Sequence, residues 1–168
     1  MIEQDYTDFC LDRWKLLPTE AGNLLHIAIG FTGEILELLE ASSRENLLEE
    51  LADANFYLTI GANFYPCSDN YKPTEWPKTK EEREALLRST ANELLDYAKK
   101  AFIYEQQVPV FIIGEIIFLA ETQLRIYANL LGFDEADLID YSRAKLLKRY
   151  PEGYSNHAAQ LRADKQEA

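Results

Sequence analysis

The chain has 168 residues, enough to bury one good core, and its 47% hydrophobic and 27% charged content is ordinary for a single soluble domain. Asp and Glu outnumber Lys and Arg by 29 to 17, and the formal net charge of −12 argues against a nucleic-acid or anionic-membrane surface. Two cysteines without metal spacing, Cys10 and Cys67, and an acidic rather than basic-then-apolar start fit a reducing cytoplasm and not secretion.

In chain order, Gln4 to Leu16 can form a helix with Tyr6, Phe9, Cys10 and Trp14 partly on one side, and Pro18 ends it. Thr19 is then a candidate N-cap for a second helix running to about Ala41. Its core stripe is Leu24, Ile27, Ala28, Phe31, Ile35, Leu38 and Leu39; Glu34 abuts this stripe and Glu37 lies one step further out. His26 falls opposite the stripe, which predicts a surface or interface position. Ser42 and Ser43 mark a turn, and one of them caps a third helix that stops before Pro66. There Leu47, Leu51, Ala54, Leu58, Gly61 and Ala62 share a stripe with Glu50 at its edge, while Asp53 falls between Tyr57, Ile60 and Phe64. An Asp in such company has poor helix propensity and no wet face, so it needs a partner or a metal.

Residues three apart share a helix face, so Glu34 with Glu37 and Glu50 with Asp53 can each aim two carboxylates at one point. Chance alone supplies about five acid pairs at this spacing in so acidic a chain, and the apolar surroundings are what set these two apart. Antiparallel neighbours would bring all four together. Oxygen-only ligation of that kind suits Mg²⁺, with Mn²⁺ as a substitute. Asn55 and Asn63, inside the same helix, are either contacts to a base or sugar or hydrogen-bonded core amides.

Cys67 to Lys78 has loop composition, with Tyr71 and Trp76 available to stack on a base or to anchor the loop. Thr79 with Glu82 resembles a capping box for a long, largely solvated helix reaching about Glu105. The most apolar run, Val108 to Ala120, is shorter than the roughly 20 residues a bilayer span requires. Pro109 suits the first turn of a helix that ends near Gly132, and Asp134 caps a last main helix to about Tyr150. Lys145, Lys148 and Arg149 share one face of it, either to meet an anion or to complement the helix dipole. The chain has no phosphate-binding glycine loop and no cysteine cluster, and with only His26 and His157 it is a poor di-iron bundle.

The pattern E-x-x-E, 12 residues, E-x-x-D from Glu34 to Asp53 resembles the signature of the MazG-type all-α nucleoside triphosphate pyrophosphohydrolases, a group that includes the dimeric dUTPases and phosphoribosyl-ATP pyrophosphohydrolase. The entry Leu25-His26-Ile27-Ala28-Ile29-Gly30-Phe31-Thr32-Gly33-Glu34 and the closing segment Lys145 to Ser155, KLLKRYPEGYS, are similar to the family's flanking segments. The resemblance implies a single all-α MazG-type helical bundle over residues 1–168, with extra helices inserted at about 66–108 after the second metal-binding helix and a tail at 151–168. It implies Mg²⁺-dependent hydrolysis of a nucleoside triphosphate to monophosphate and pyrophosphate, with Glu34, Glu37, Glu50 and Asp53 as metal ligands and catalytic carboxylates. It also implies substrate contacts from Lys145, Lys148, Arg149, Asn55, Tyr154 and Arg162, and a cytoplasmic homodimer or homotetramer. Ser142 stands where relatives usually carry Asn. The alternatives are phosphoribosyl-ATP hydrolysis and a non-catalytic helical protein that binds a partner through Val110 to Leu131.

Overall fold

The computed structural model describes residues 2–68 and 77–165; the loop aromatics Tyr71 and Trp76 lie outside the described residues. Those residues form α1 (Ile2–Asp12), α2 (Glu20–Glu40), α3 (Arg44–Phe64), α4 (Lys80–Ile103), α5 (Val110–Leu130), α6 (Glu135–Arg149), α7 (Asn156–Leu161) and one turn of 3-10 helix, Ala163–Lys165. No strand occurs among the described residues, so the class is all-α, and no described helix is long and apolar enough to cross a membrane.

The helix ends follow from side-chain chemistry close by in sequence. Thr19 accepts a hydrogen bond from Gly22 N–H, and Ser43 accepts one from Asn46 N–H, each in an extended backbone conformation. Thr79 with Glu82 and Asp134 with Asp137 form two reciprocal capping boxes. Gly132, at φ +80°, turns the chain off the end of α5 in a conformation that other residues adopt only with strain. Pro109 sits one position earlier than expected, as the N-cap of α5. At the other end of the chain, α1 stops at Asp12 rather than Leu16. The reason is Asn23, whose side chain accepts from Leu17 N–H and donates to Leu17 and Thr19 carbonyls, fixing a non-helical link into α2.

Helices α2, α3, α5 and α4 pack in a ring, each against the next, around a core that includes Leu24, Phe31, Leu58, Leu87, Leu94, Ile113 and Leu124. The segment after α3 therefore supplies α4, a wall of the bundle: Leu87, Thr90, Ala91, Leu94 and Ala98 are buried, and only its other face is solvated. Outside the ring, α1 and α6 both lean on α3. Helix α3 is consequently enclosed on several sides, which explains its apolar residues lying all round rather than on one stripe. Arg44 pins its start, donating to the Leu131 and Gly132 carbonyls with its guanidinium 4.1 Å from the Phe133 ring centre.

Candidate functional site

Glu34 on α2 and Glu50 and Asp53 on α3 bring carboxylate oxygens within 4.8 Å of one another, and all three are half-buried. Glu37 does not join them. It is exposed, because α3 approaches the side of α2 that carries Glu34, and one further turn carries Glu37 toward solvent. The expected quartet is thus a trio with a fourth carboxylate at its rim.

Crowding three carboxylates in a partly dry place favours retention of a proton. Burial, then the charges of Asp53, Glu50 and Glu37, push the Glu34 carboxyl up to about 8, and its proton is shared in a hydrogen bond with Glu50. Glu50 and Asp53 are also raised, in both cases chiefly by burial, and for Asp53 the neighbouring Lys145 ammonium works in the opposite direction.

Helix α6 delivers that ammonium. Lys145 Nζ bonds Asp53 and lies 2.8 Å from Glu49 on the preceding turn of α3; its side chain is only 8% exposed. Burial opposes the Lys145 charge, but Asp53 and Glu49 outweigh it and raise its pKa. One turn on, Arg149 makes a two-pronged pair with Asp164, both contacts at 2.6 Å, and Lys165 reaches Glu49 at 2.5 Å. The tail is therefore folded onto the basic face, through an αL residue at Arg162 and a short α7 capped by Ser155. Arg162 itself is exposed, away from the cavity wall, and Lys148 is on the outer side of α6.

Between these charges lies a cavity of about 260 Å³. Its charged lining is Glu34, Asp53, Arg13, Lys15, Lys145 and Arg149, and its aromatic lining is Trp14, His26, Phe56, Tyr57, Tyr150 and Tyr154. His26 is half-buried rather than on the open surface: the link after α1 folds over α2, and the Trp14 ring stacks on the imidazole at 4.0 Å between centres. Burial lowers the His26 pKa and keeps the ring neutral. Tyr57 meets both rings edge-on, 6.2 Å from each. Tyr154 packs on Tyr150 and its backbone N–H donates to the Asp12 carbonyl, so the tail also closes against α1. Asn55 points elsewhere, into a separate cavity with Tyr6, Thr59 and Asn63, and Ser142 accepts a buried hydrogen bond from Tyr6.

Sequence reasoning did not single out Arg13, Lys15, Phe56, Glu49 or Asp164 for this region. The partners of Glu49 and Asp164 lie 96 and 15 residues away, and no local pattern encodes them. Comparison with protein-family models, with curated proteins and with solved structures finds no match for this chain.

Proposed function

We propose that the protein is a MazG-like pyrophosphohydrolase that cleaves a nucleoside triphosphate to the monophosphate and pyrophosphate. The observation that carries this reading is one cavity lined by two members of the carboxylate trio, Glu34 and Asp53, by the basic side chains of Arg13, Lys15, Lys145 and Arg149, and by six aromatic rings. Each feature answers one part of a nucleotide: an aromatic face for the base, cations for the distal phosphates, and hard oxygen donors for a phosphate-bound metal.

The donor set fits Mg²⁺ or Mn²⁺: Glu34, Glu50 and Asp53 offer oxygen atoms close enough to share an ion, with Glu37 one turn along α2 at the rim. A divalent ion held there would neutralise phosphate charge and make water a better nucleophile at the α-phosphorus. The chain's own groups do the rest. Glu37, exposed at the rim, is the carboxylate best placed to take a proton without giving up a ligand position. Lys145 and Arg149, both on the cavity lining, would supply cations to the departing pyrophosphate, and the Trp14, His26 and Tyr57 cluster offers a stiff apolar face for a base. Loss of pyrophosphate rather than orthophosphate is the outcome expected if the carboxylates' cation meets the α-phosphate while Lys145 and Arg149 meet the distal phosphates.

Hydrolysis in ¹⁸O-labelled water of a panel of ribo- and deoxyribonucleoside triphosphates, with and without Mg²⁺, tests the proposal. Label in the monophosphate supports it; label in orthophosphate with a diphosphate product, or no turnover of any nucleotide, refutes it. Homo-oligomerisation belongs to the same reading, motivated by exposed Phe102, Ile103, Val110 and Phe111 around the α4 to α5 link. Light scattering at micromolar concentration that gives a monomer mass would rule it out.

A further inference from the structure

We propose that Lys145 is an exchangeable counter-ion: its ammonium and a divalent cation draw on the same Asp53 carboxylate, so cation binding releases Lys145 into the cavity to meet the phosphates. The inference rests on the cation reading given above and adds a moving part to it.

Three observations carry it. Asp53 is at once a member of the carboxylate trio and a direct partner of Lys145 Nζ. A dication and an ammonium on one carboxylate repel each other at short range in a site that water screens poorly, and the dication has the larger claim. Second, Lys145 has somewhere to go. Its side chain lines the aromatic-walled cavity on one side and a shallow surface cleft with Glu49, Tyr141 and Asp164 on the other, so the four-carbon stem can swing without breaching the core. Third, Glu49 lies outside the trio and is held by Lys165 as well as Lys145. When Lys145 leaves, Glu49 keeps a cation, and no carboxylate is stranded.

The consequence is an order built into the site. Lys145 is engaged with Asp53 until a cation takes that oxygen, and only then are its three donors available to a phosphate. Cation and triphosphate must then bind with positive coupling, each tightening the other by the same factor.

Mn²⁺ binding to the full-length chain, followed by titration calorimetry and by the electron paramagnetic resonance of free Mn²⁺, provides the test. Lys145→Met, which keeps the apolar stem and removes the competitor, should bind Mn²⁺ about tenfold more tightly than the wild type, whereas Asp53→Asn should lose binding. If Lys145 instead only positions Asp53 as a ligand, Lys145→Met binds more weakly or equally, and the proposal falls. A wild-type measurement covers a variant that does not fold: acetylation of Lys145 by acetic anhydride, read by mass spectrometry, should increase on adding Mg²⁺ while that of exposed Lys80 does not. Unchanged or reduced labelling of Lys145 overturns the exchange. If the wild type binds no Mn²⁺, the cation reading itself is wrong and this inference goes with it; binding that is lost in Asp53→Asn but not improved in Lys145→Met removes the inference alone.

Discussion

Glu34→Gln separates electrostatics from packing at the carboxylate trio. The Glu34 carboxyl titrates at about 8, above its ordinary 4.5, because it is buried against Asp53, Glu50 and Glu37. The folded chain therefore holds a proton that the unfolded chain releases, and the stability linked to it is complete below about pH 4.5 and lost as pH rises through about 8. A single proton is worth about 1.4 kcal/mol per pH unit, which sets a ceiling near 5 kcal/mol over this interval. Glu34 is only half-buried, so screening reduces the realistic figure to about 2 kcal/mol. Glutamine mimics the protonated acid, retains a donor for Glu50, and has nothing to lose at high pH. In a chelator, calorimetric Tm values of wild type and variant should coincide near pH 5, and the variant should melt about 4–8 °C higher near pH 8.5. Mg²⁺ at pH 8.5 should recover most of that difference for the wild type and little for the variant. Parallel curves for the two proteins across the whole range would show that Glu34 is not held protonated by its neighbours.

Relief of repulsion among the acids would by itself make Asp53→Asn neutral or stabilising, but its pairing with buried Lys145 reverses the sign. A loss of about 1–2 kcal/mol in urea denaturation is expected, Glu49 limiting the damage, together with loss of Mg²⁺ binding by calorimetry and of turnover. For Gly30→Ala, a Cβ would lie 2.1 Å from the Tyr57 ring, so that ring must move; overpacking should cost about 1–3 kcal/mol, and KM for nucleotide should rise with the displaced aromatic wall. Deleting the chain after Tyr150 removes Tyr154, Asp164 and Lys165, and should lower kcat/KM far more than it lowers Tm; unchanged kinetics would make the tail a purely structural wrap.

What was legible in the sequence was what local chemistry decides. Thr19, Ser43, Thr79 and Asp134 each satisfy backbone donors within three residues, so a cap can be read without knowing the fold. Glu34, Glu50 and Asp53 stood out because acids were set among apolar neighbours, and packing two adjacent antiparallel helices brings such residues together. Glu37 stands at the rim and outside the close trio for a geometric reason: a spacing of three defines a face but not which part of it a neighbour covers. His26 was misplaced because the α2 periodicity reports only the bundle core, and Trp14 arrives from outside that bundle. The basic face of α6 was visible, yet its engagement by Glu49 and Asp164 depends on long-range docking of α6 and of a tail whose single helical turn and a half is too short to declare itself.

The Trp14 and His26 stack gives this site an optical signal of its own. An indole 4.0 Å from an imidazole is a fluorophore beside a titratable quencher, since the protonated ring accepts excited-state electron density that the neutral ring does not. With the His26 pKa lowered by burial, Trp14 emission should be pH-independent through neutrality and dim on acidification. A ligand entering the cavity would change the surroundings of the indole that lines it, and should alter its emission. Because Trp76 is the only other tryptophan in the chain, a Trp76→Phe background leaves Trp14 as the sole reporter, and occupancy of the cavity can be followed in real time without a label.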